Sequence, residues 1–507
     1  MSLEGNKNEG DRALWRPDLR KEVRPYGGPA SARKPGLPVL NFVHRPFFFL
    51  FLILLVSAAL HLVRIGTPDR PVFDEAYFAT YATNDALQMP YFDIHPPFGR
   101  FLYSIPLFFY NKGDLAGATY VVNEKTPDGK SFTTTGVDKP YENFPYMTER
   151  VVSALFGLLL IVSVFLFVRE LAGERAALLT AFFIALENAL LLDTRLILMD
   201  GMYLSFGFLA LYFFFRKAKP QQEGIDTEEK AGKTGLAPLE RALFPLYQSR
   251  NPILSGIFLG LALSVKLTAI VFAGPVIVAA ILKSVFTKER ARHWDVLWFL
   301  GVAALVFLIL LIGVTNALFT PEEQLSAMGW LFNIPDLAIN PSIAKATLYQ
   351  LLIGGAGYTV GGGNLMMSPW YLWPFMIEPM RFTDAGNIML LGNPFVWILS
   401  TLAVLGTLLR YVRQLIRRAS YSEGDNSILI LLFGYIFALL PFFTFINRAT
   451  FLYHYFPALL LAIALLATLV TRALAEETKH AKMLAYGAIG ILTVWGFILV
   501  APYTYGL

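Results

Sequence analysis

Asp74 and Glu75 are adjacent acids just beyond the first long apolar segment, and His95-Pro96-Pro97 follows about twenty residues later. A carboxylate held at a membrane surface can take the proton from a hydroxyl group as that group attacks. Each proline fixes its own φ and biases the residue before it towards extended structure, so His95 is held in a defined direction, able to donate to a sugar or a phosphate. The plainer alternatives are an acidic cap on a helix beginning near Ala76, favourable for its dipole, and a structural turn with a surface histidine. Four cations, Arg150, Arg195, Lys266 and Arg448, fall at the same membrane face as the acids in the topology derived below. They run against the usual cationic bias of cytoplasmic loops. As a set they suggest an anion held there, such as a lipid-linked phosphate. Snorkelling to headgroups would explain any one of them.

The elements that must position these groups are membrane helices. The chain has 507 residues, of which 55% are hydrophobic, and its mean hydropathy is +0.53. Several apolar runs approach the ~20 residues that cross a bilayer. The expected spans are 46–65, 150–168, 174–191, 196–215, 252–265, 267–286, 295–315, 391–411, 427–446, 452–472 and 483–501: an all-α polytopic bundle of about eleven helices. The run from 252 to 286 is divided at Lys266, because one helix of that length would overshoot the bilayer.

With the N-terminus inside, the short loops rich in Arg and Lys are cytoplasmic. Two long loops, 66–149 and 316–390, then face outward. Residues 1–45 read as a basic, disordered cytoplasmic tail, 46–472 as the membrane core with a flexible linker at 216–251, and 473–507 as the last span and C-terminus. Phe101 to Tyr110 is too short to span and is expected along the interface. Trp330, Tyr358, Trp370, Tyr371 and Trp373 in the second outer loop read as headgroup anchors or substrate contacts.

The sequence also excludes chemistry. There is no cysteine, so disulfides, thiolate metal sites and a cysteine nucleophile are absent. No His-Glu-x-x-His, no Gly-x-Ser-x-Gly and no Gly-Lys-Ser/Thr after the glycines at 361–363 occurs. The net charge of +5 suits membrane loops better than nucleic acid. A transporter would place ionisable groups at mid-membrane between inverted repeats, and no repeat is visible.

The ordered motifs resemble the protein O-mannosyltransferase family. They are Phe73-Asp74-Glu75, His95-Pro96-Pro97-Phe98-Gly99-Arg100, Glu149-Arg150, Glu187-Asn188, Thr194 through Asp200, Gly260 through Lys266, Ser368-Pro369-Trp370, Leu391-Gly392-Asn393-Pro394 and Arg448 through Tyr455. The resemblance implies a GT-C membrane fold and a polyprenyl (dolichyl) phosphate mannose donor. It makes Asp74 the base for the acceptor hydroxyl and Glu75 a helper in substrate binding, and marks Arg150 as important for activity. Substrate contacts are expected from His95, Arg100, Arg150, Arg195, Asp200, Lys266, Arg448, Tyr453 and His454. No cofactor or metal is expected, since fixed cations can serve the phosphate. The second outer loop is too short for the β-trefoil (MIR) domain of eukaryotic relatives, so the chain resembles the shorter prokaryotic kind.

The expected reaction is inverting transfer of mannose, or a related hexose, to protein Ser or Thr hydroxyls on the extracytoplasmic face of the cell membrane. A lipid or glycan acceptor is the alternative. A transporter is the remote one.

Overall fold

The structure is a computed structural model. It describes residues 45–88, 95–116, 122–125, 132–135, 140–141, 143–216, 251–286, 293–318, 367–383, 387–417, 426–444 and 450–507. The N-terminal tail, nearly all of the 216–251 linker, much of the second outer loop (Trp330 and Tyr358 included) and Arg448 lie outside the described residues.

Apolar composition makes long helices, and polar residues end them. The first is α1 (Arg45–Leu62). Three short helices follow, α2 (Glu75–Leu87), α3 (Phe98–Leu107) and α4 (Lys112–Ala116), then a hairpin of β1 (Val122–Lys125) and β2 (Phe132–Thr135). Next come α5 (Tyr146–Ala172), α6 (Glu174–Ala185), α7 (Asn188–Asp193), α8 (Asp200–Phe215), α9 (Pro252–Val265), α10 (Ala273–Phe286) and α11 (His293–Leu318). A two-stranded ribbon, β3 (Met380–Arg381) with β4 (Met389–Leu390), precedes α12 (Pro394–Ile416), α13 (Asn426–Thr444), α14 (Phe456–Ala473) and α15 (Lys479–Tyr505).

Five of the described helices are long and apolar enough to cross a membrane, and five shorter apolar helices accompany them. α8 packs between α5 and α9, α9 on α11, and α14 touches α6, α12 and α13. The span ending in α14 has 72% of its apolar stretch buried in the protein, against 17% for the one in α11 and 22% for α15. A helix apolar on every side belongs either at the centre of a bundle or against lipid. Here packing, not composition, separates the two.

Two boundaries differ from the sequence expectation. The span expected at 174–191 stops at Ala185, because Glu187 takes extended backbone and its carboxylate accepts from the Ala189 N–H, starting α7 as a separate piece. The span expected from 196 begins only at Asp200. The break at Lys266 is present: its backbone is extended, and a 3₁₀ segment (Leu267–Phe272) leads into α10.

Candidate active site

The acid pair sits at the start of α2. Phe73, just before it, is held at φ +54°, a conformation that costs a bulky residue free energy and persists only when packing demands it. Its ring stacks on Phe382 at 5.0 Å and meets Phe451 and Tyr453. Asp74 is left half-buried, whereas Glu75 is fully buried.

Glu75 points into the protein. Its Oε1 accepts from Arg150 Nε (2.8 Å) and the Ile197 N–H (2.9 Å), and its Oε2 from Arg150 Nη2 (2.8 Å) and the Val72 N–H (2.9 Å). Arg150, in the first turn of α5, also donates through Nη1 to the carbonyls of Ile65 and Pro68 and through Nη2 to that of Arg70. All five of its N–H groups are therefore engaged within the chain. Tyr141 and Tyr146 lie within cation–π reach of the guanidinium. Arg150 and Glu75 were expected to meet substrate. In the structure they form a closed clamp that ties α2, α5 and the segment before α8 together.

Arg100 and Arg195 also meet partners within the chain. Arg100 is buried, lies 3.6 Å from the Asp85 carboxylate, and donates to the His95 carbonyl. It fastens the His-Pro-Pro turn to α2. His95 itself packs edge-on against Phe78. Arg195 donates to the carbonyls of Thr504 and Val63, and its guanidinium lies over the Tyr505 ring at 4.4 Å. Burial lowers its pKa to about 10. Sequence reasoning had no signal for this contact, because its partner is the last turn of α15.

Lys266 is different. Its Nζ donates to both oxygens of Asp200, each at 2.9 Å, and the third N–H has no acceptor among the described residues. The ammonium lies 4.7 Å from the centre of the Tyr453 ring and 5.7 Å from that of Tyr203. Tyr453 also touches Phe73, so one aromatic wall runs from beside Asp74 to Lys266. His454 is buried, stacked on Tyr453, and its Nδ1 hydrogen-bonds the Phe451 backbone, which holds the wall in place.

Gly99 explains how the His-Pro-Pro-Phe-Gly-Arg motif reaches this wall. A Cβ there would lie 2.5 Å from Met199 Sδ and 2.9 Å from a Val265 methyl, the residues next to Asp200 and Lys266. Only glycine lets α3 approach so closely.

Asp193 was not selected from the sequence. It ends α7, is buried, and neither carboxylate oxygen has a hydrogen-bond partner among the described residues. Burial pushes its carboxyl well above the usual range. The charge of Asp200 adds to that, Lys266 opposes it, and Asp74 adds again.

Three other motifs find their partners within the chain. Glu187 accepts from the Asn393 N–H through both oxygens, and the Asn393 amide donates to the carbonyls of Leu186 and Thr493. Asn188 donates to the Phe497 carbonyl and Thr504 Oγ1. Trp373 is buried, donates to Ser368 and accepts at its carbonyl from the Trp397 indole. It is a core residue, not a headgroup anchor.

The arrangement is that of a GT-C membrane glycosyltransferase, in an integral multi-pass membrane protein. The chain resembles the Saccharomyces cerevisiae protein O-mannosyltransferase Pmt1-Pmt2 complex bound to the sugar donor, with a TM-score of 0.69 over 91% of this chain and 90% of that one, at 14% identity. That likeness shows the fold. The profile described as dolichyl-phosphate-mannose-protein mannosyltransferase matches residues 51–325, and that of the C-terminal four-transmembrane region of protein O-mannosyltransferase matches 358–507. The chain belongs to the dolichyl-phosphate-mannose-protein mannosyltransferase family.

Among curated relatives, dolichyl-phosphate-mannose-protein mannosyltransferase 4 of Candida albicans is 31% identical over 154 residues, 30% of this chain and 18% of the relative. Protein O-mannosyltransferase 1 of Drosophila melanogaster is 28% identical over 158 residues, 31% of this chain and 16% of the relative. The aligned stretches thus span less than a fifth of these relatives' length.

Proposed function

We propose that this chain transfers mannose, or a related hexose, from a polyprenyl phosphate to Ser or Thr hydroxyls of proteins. The observation that carries this reading is the aromatic wall that joins Asp74, the partly exposed acid, to Lys266, a cation with one N–H unmet among the described residues. An anionic leaving group and a nucleophile's proton have opposite needs, and this face offers both.

In the proposed reaction the acceptor hydroxyl oxygen attacks C1 of the sugar through an oxocarbenium-like state. Its proton goes to Asp74. The bond from C1 to the phosphate oxygen breaks, and its electrons remain on the phosphate. Lys266 donates to that oxygen, where charge develops, and Asp200 keeps the ammonium charged and oriented. Attack by the acceptor itself, with no protein nucleophile interposed, inverts the anomeric centre. Glu75 and Arg150 hold the start of α2 so that Asp74 faces the sugar. The charge asymmetry of the loops supports an outward-facing site on the plasma membrane, with the N-terminus in the cytoplasm.

The test is purified protein, polyprenyl-phosphate-mannose carrying a label, and product analysis. Label should appear in a Ser/Thr-containing peptide. Label in lipid or glycan alone would mean a different acceptor. Asp74→Asn should lower the rate by about 10²–10⁴-fold with folding intact. Wild-type rates in that variant would remove Asp74 from the chemistry.

A further inference from the structure

The acids near the start of α8 differ in how far the fold uses them. Glu75 accepts four hydrogen bonds, and both oxygens of Asp200 accept from Lys266. Asp193 is 1% exposed and accepts none from the described residues. Glu149 shares that lack, but the charges beside it are those of the closed clamp, Glu75 and Arg150. The charges beside Asp193 are Asp200, Lys266 and Asp74, which are the proposed phosphate-binding pair and the proposed base.

The large majority of buried side-chain polar atoms in proteins find a partner, so a buried carboxyl with none among the described residues points to a partner beyond them. The surroundings restrict what that partner is. A second anion would be repelled by Asp200 and Asp74. A cation would compete with Lys266 for the same acids. A neutral group that both donates and accepts hydrogen bonds meets neither objection, and the hydroxyls of a pyranose are such groups.

We propose that Asp193 is a ligand for ring hydroxyls of the donor sugar and helps to select which hexose is transferred. This rests on the functional reading above. The two oxygens of one carboxyl can bridge neighbouring hydroxyls, and Asp193 lies within electrostatic reach of Asp74, Asp200 and Lys266.

The experiment is a thermodynamic cycle on the full-length enzyme. Polyprenyl-phosphate-mannose and its 2-, 3- and 4-deoxy analogues are compared as donors for wild type, Asp193→Ala and the near-isosteric Asp193→Asn, each checked for folding by thermal unfolding in detergent. A site built to bind a hydroxyl discriminates against the analogue that lacks it, so one deoxy donor should lose about tenfold or more in kcat/KM with wild type. With Asp193→Ala the same analogue should lose less than about twofold, because the partner it would leave unpaired is gone. Should Asp193→Ala not fold, Asp193→Asn carries the cycle, with a reduced penalty expected for that same analogue. Equal penalties in variant and wild type, or a variant with wild-type kcat/KM on mannose, would mean that Asp193 binds only a buried water, and would overturn the inference while leaving the transferase reading intact. A wild-type enzyme that transfers from none of these donors would overturn both.

Discussion

Two buried ion pairs lie close together in this protein, and they are built to opposite specifications. In the Glu75–Arg150 pair every N–H and every carboxylate oxygen is engaged by the chain. In the Asp200–Lys266 pair one ammonium N–H has no acceptor among the described residues, and Asp193, an acid with no hydrogen-bond partner among them, lies within electrostatic reach of the pair. A saturated pair holds structure as it stands, whereas an unsaturated one has a donor to offer a ligand. Residue type alone does not separate the two, since each is one acid and one base near the end of a helix.

The comparison breaks most visibly at the clamp. Removing one partner of a buried pair strands the other charge, so Arg150→Ala should cost about 3–5 kcal/mol of stability. Thermal unfolding in detergent, or the yield of folded protein, measures this. Arg150→Lys should rescue little, because an ammonium has three donors and no fork with which to reach both Glu75 oxygens and three carbonyls. A stable Arg150→Ala protein defective only in donor affinity would reverse the assignment.

At the open pair the loss should fall on the donor. Lys266→Gln removes a charge-assisted hydrogen bond worth about 1.5–3 kcal/mol, so donor KM should rise by roughly 10- to 150-fold. Titration with polyprenyl-phosphate-mannose reads it, and an unchanged KM would take Lys266 out of the phosphate site.

Gly99→Ala tests how the two halves are joined. Overpacking against Met199 and Val265 should cost about 1–3 kcal/mol and push α3 away from Lys266. Activity should fall more than stability does.

The smallest expected effect is a pH slope. A carboxyl whose folded pKa is raised binds a proton that the unfolded chain releases, so its contribution to stability is present below the ordinary carboxyl range and is lost as pH rises through the folded value. Asp193 is such a group. Wild-type stability should therefore fall as pH rises from about 4 upwards, and Asp193→Asn should flatten that slope. Denaturation curves across pH would show equal slopes if Asp193 were ionised throughout.

Much of the fold was legible from composition. The apolar runs located most of the helices to within a few residues, and the break lies at Lys266, where a single helix through the whole run would overshoot the bilayer. The motif at 187–188 was visible, but its use was not: Glu187 ends one helix and starts another by binding Asn393, more than two hundred residues away. Arg195 was equally visible, and its partner at the chain's last turn equally out of sight.

Apolar length and the order of charged residues are enough to specify a membrane-embedded helical protein with acids and cations near its helix ends, since both are properties of residues in order. The tertiary structure decided which of those charges are spoken for. Whether a guanidinium or a carboxylate is saturated depends on backbone carbonyls and N–H groups brought from distant segments. Those groups are the same in every residue and carry no mark in a sequence.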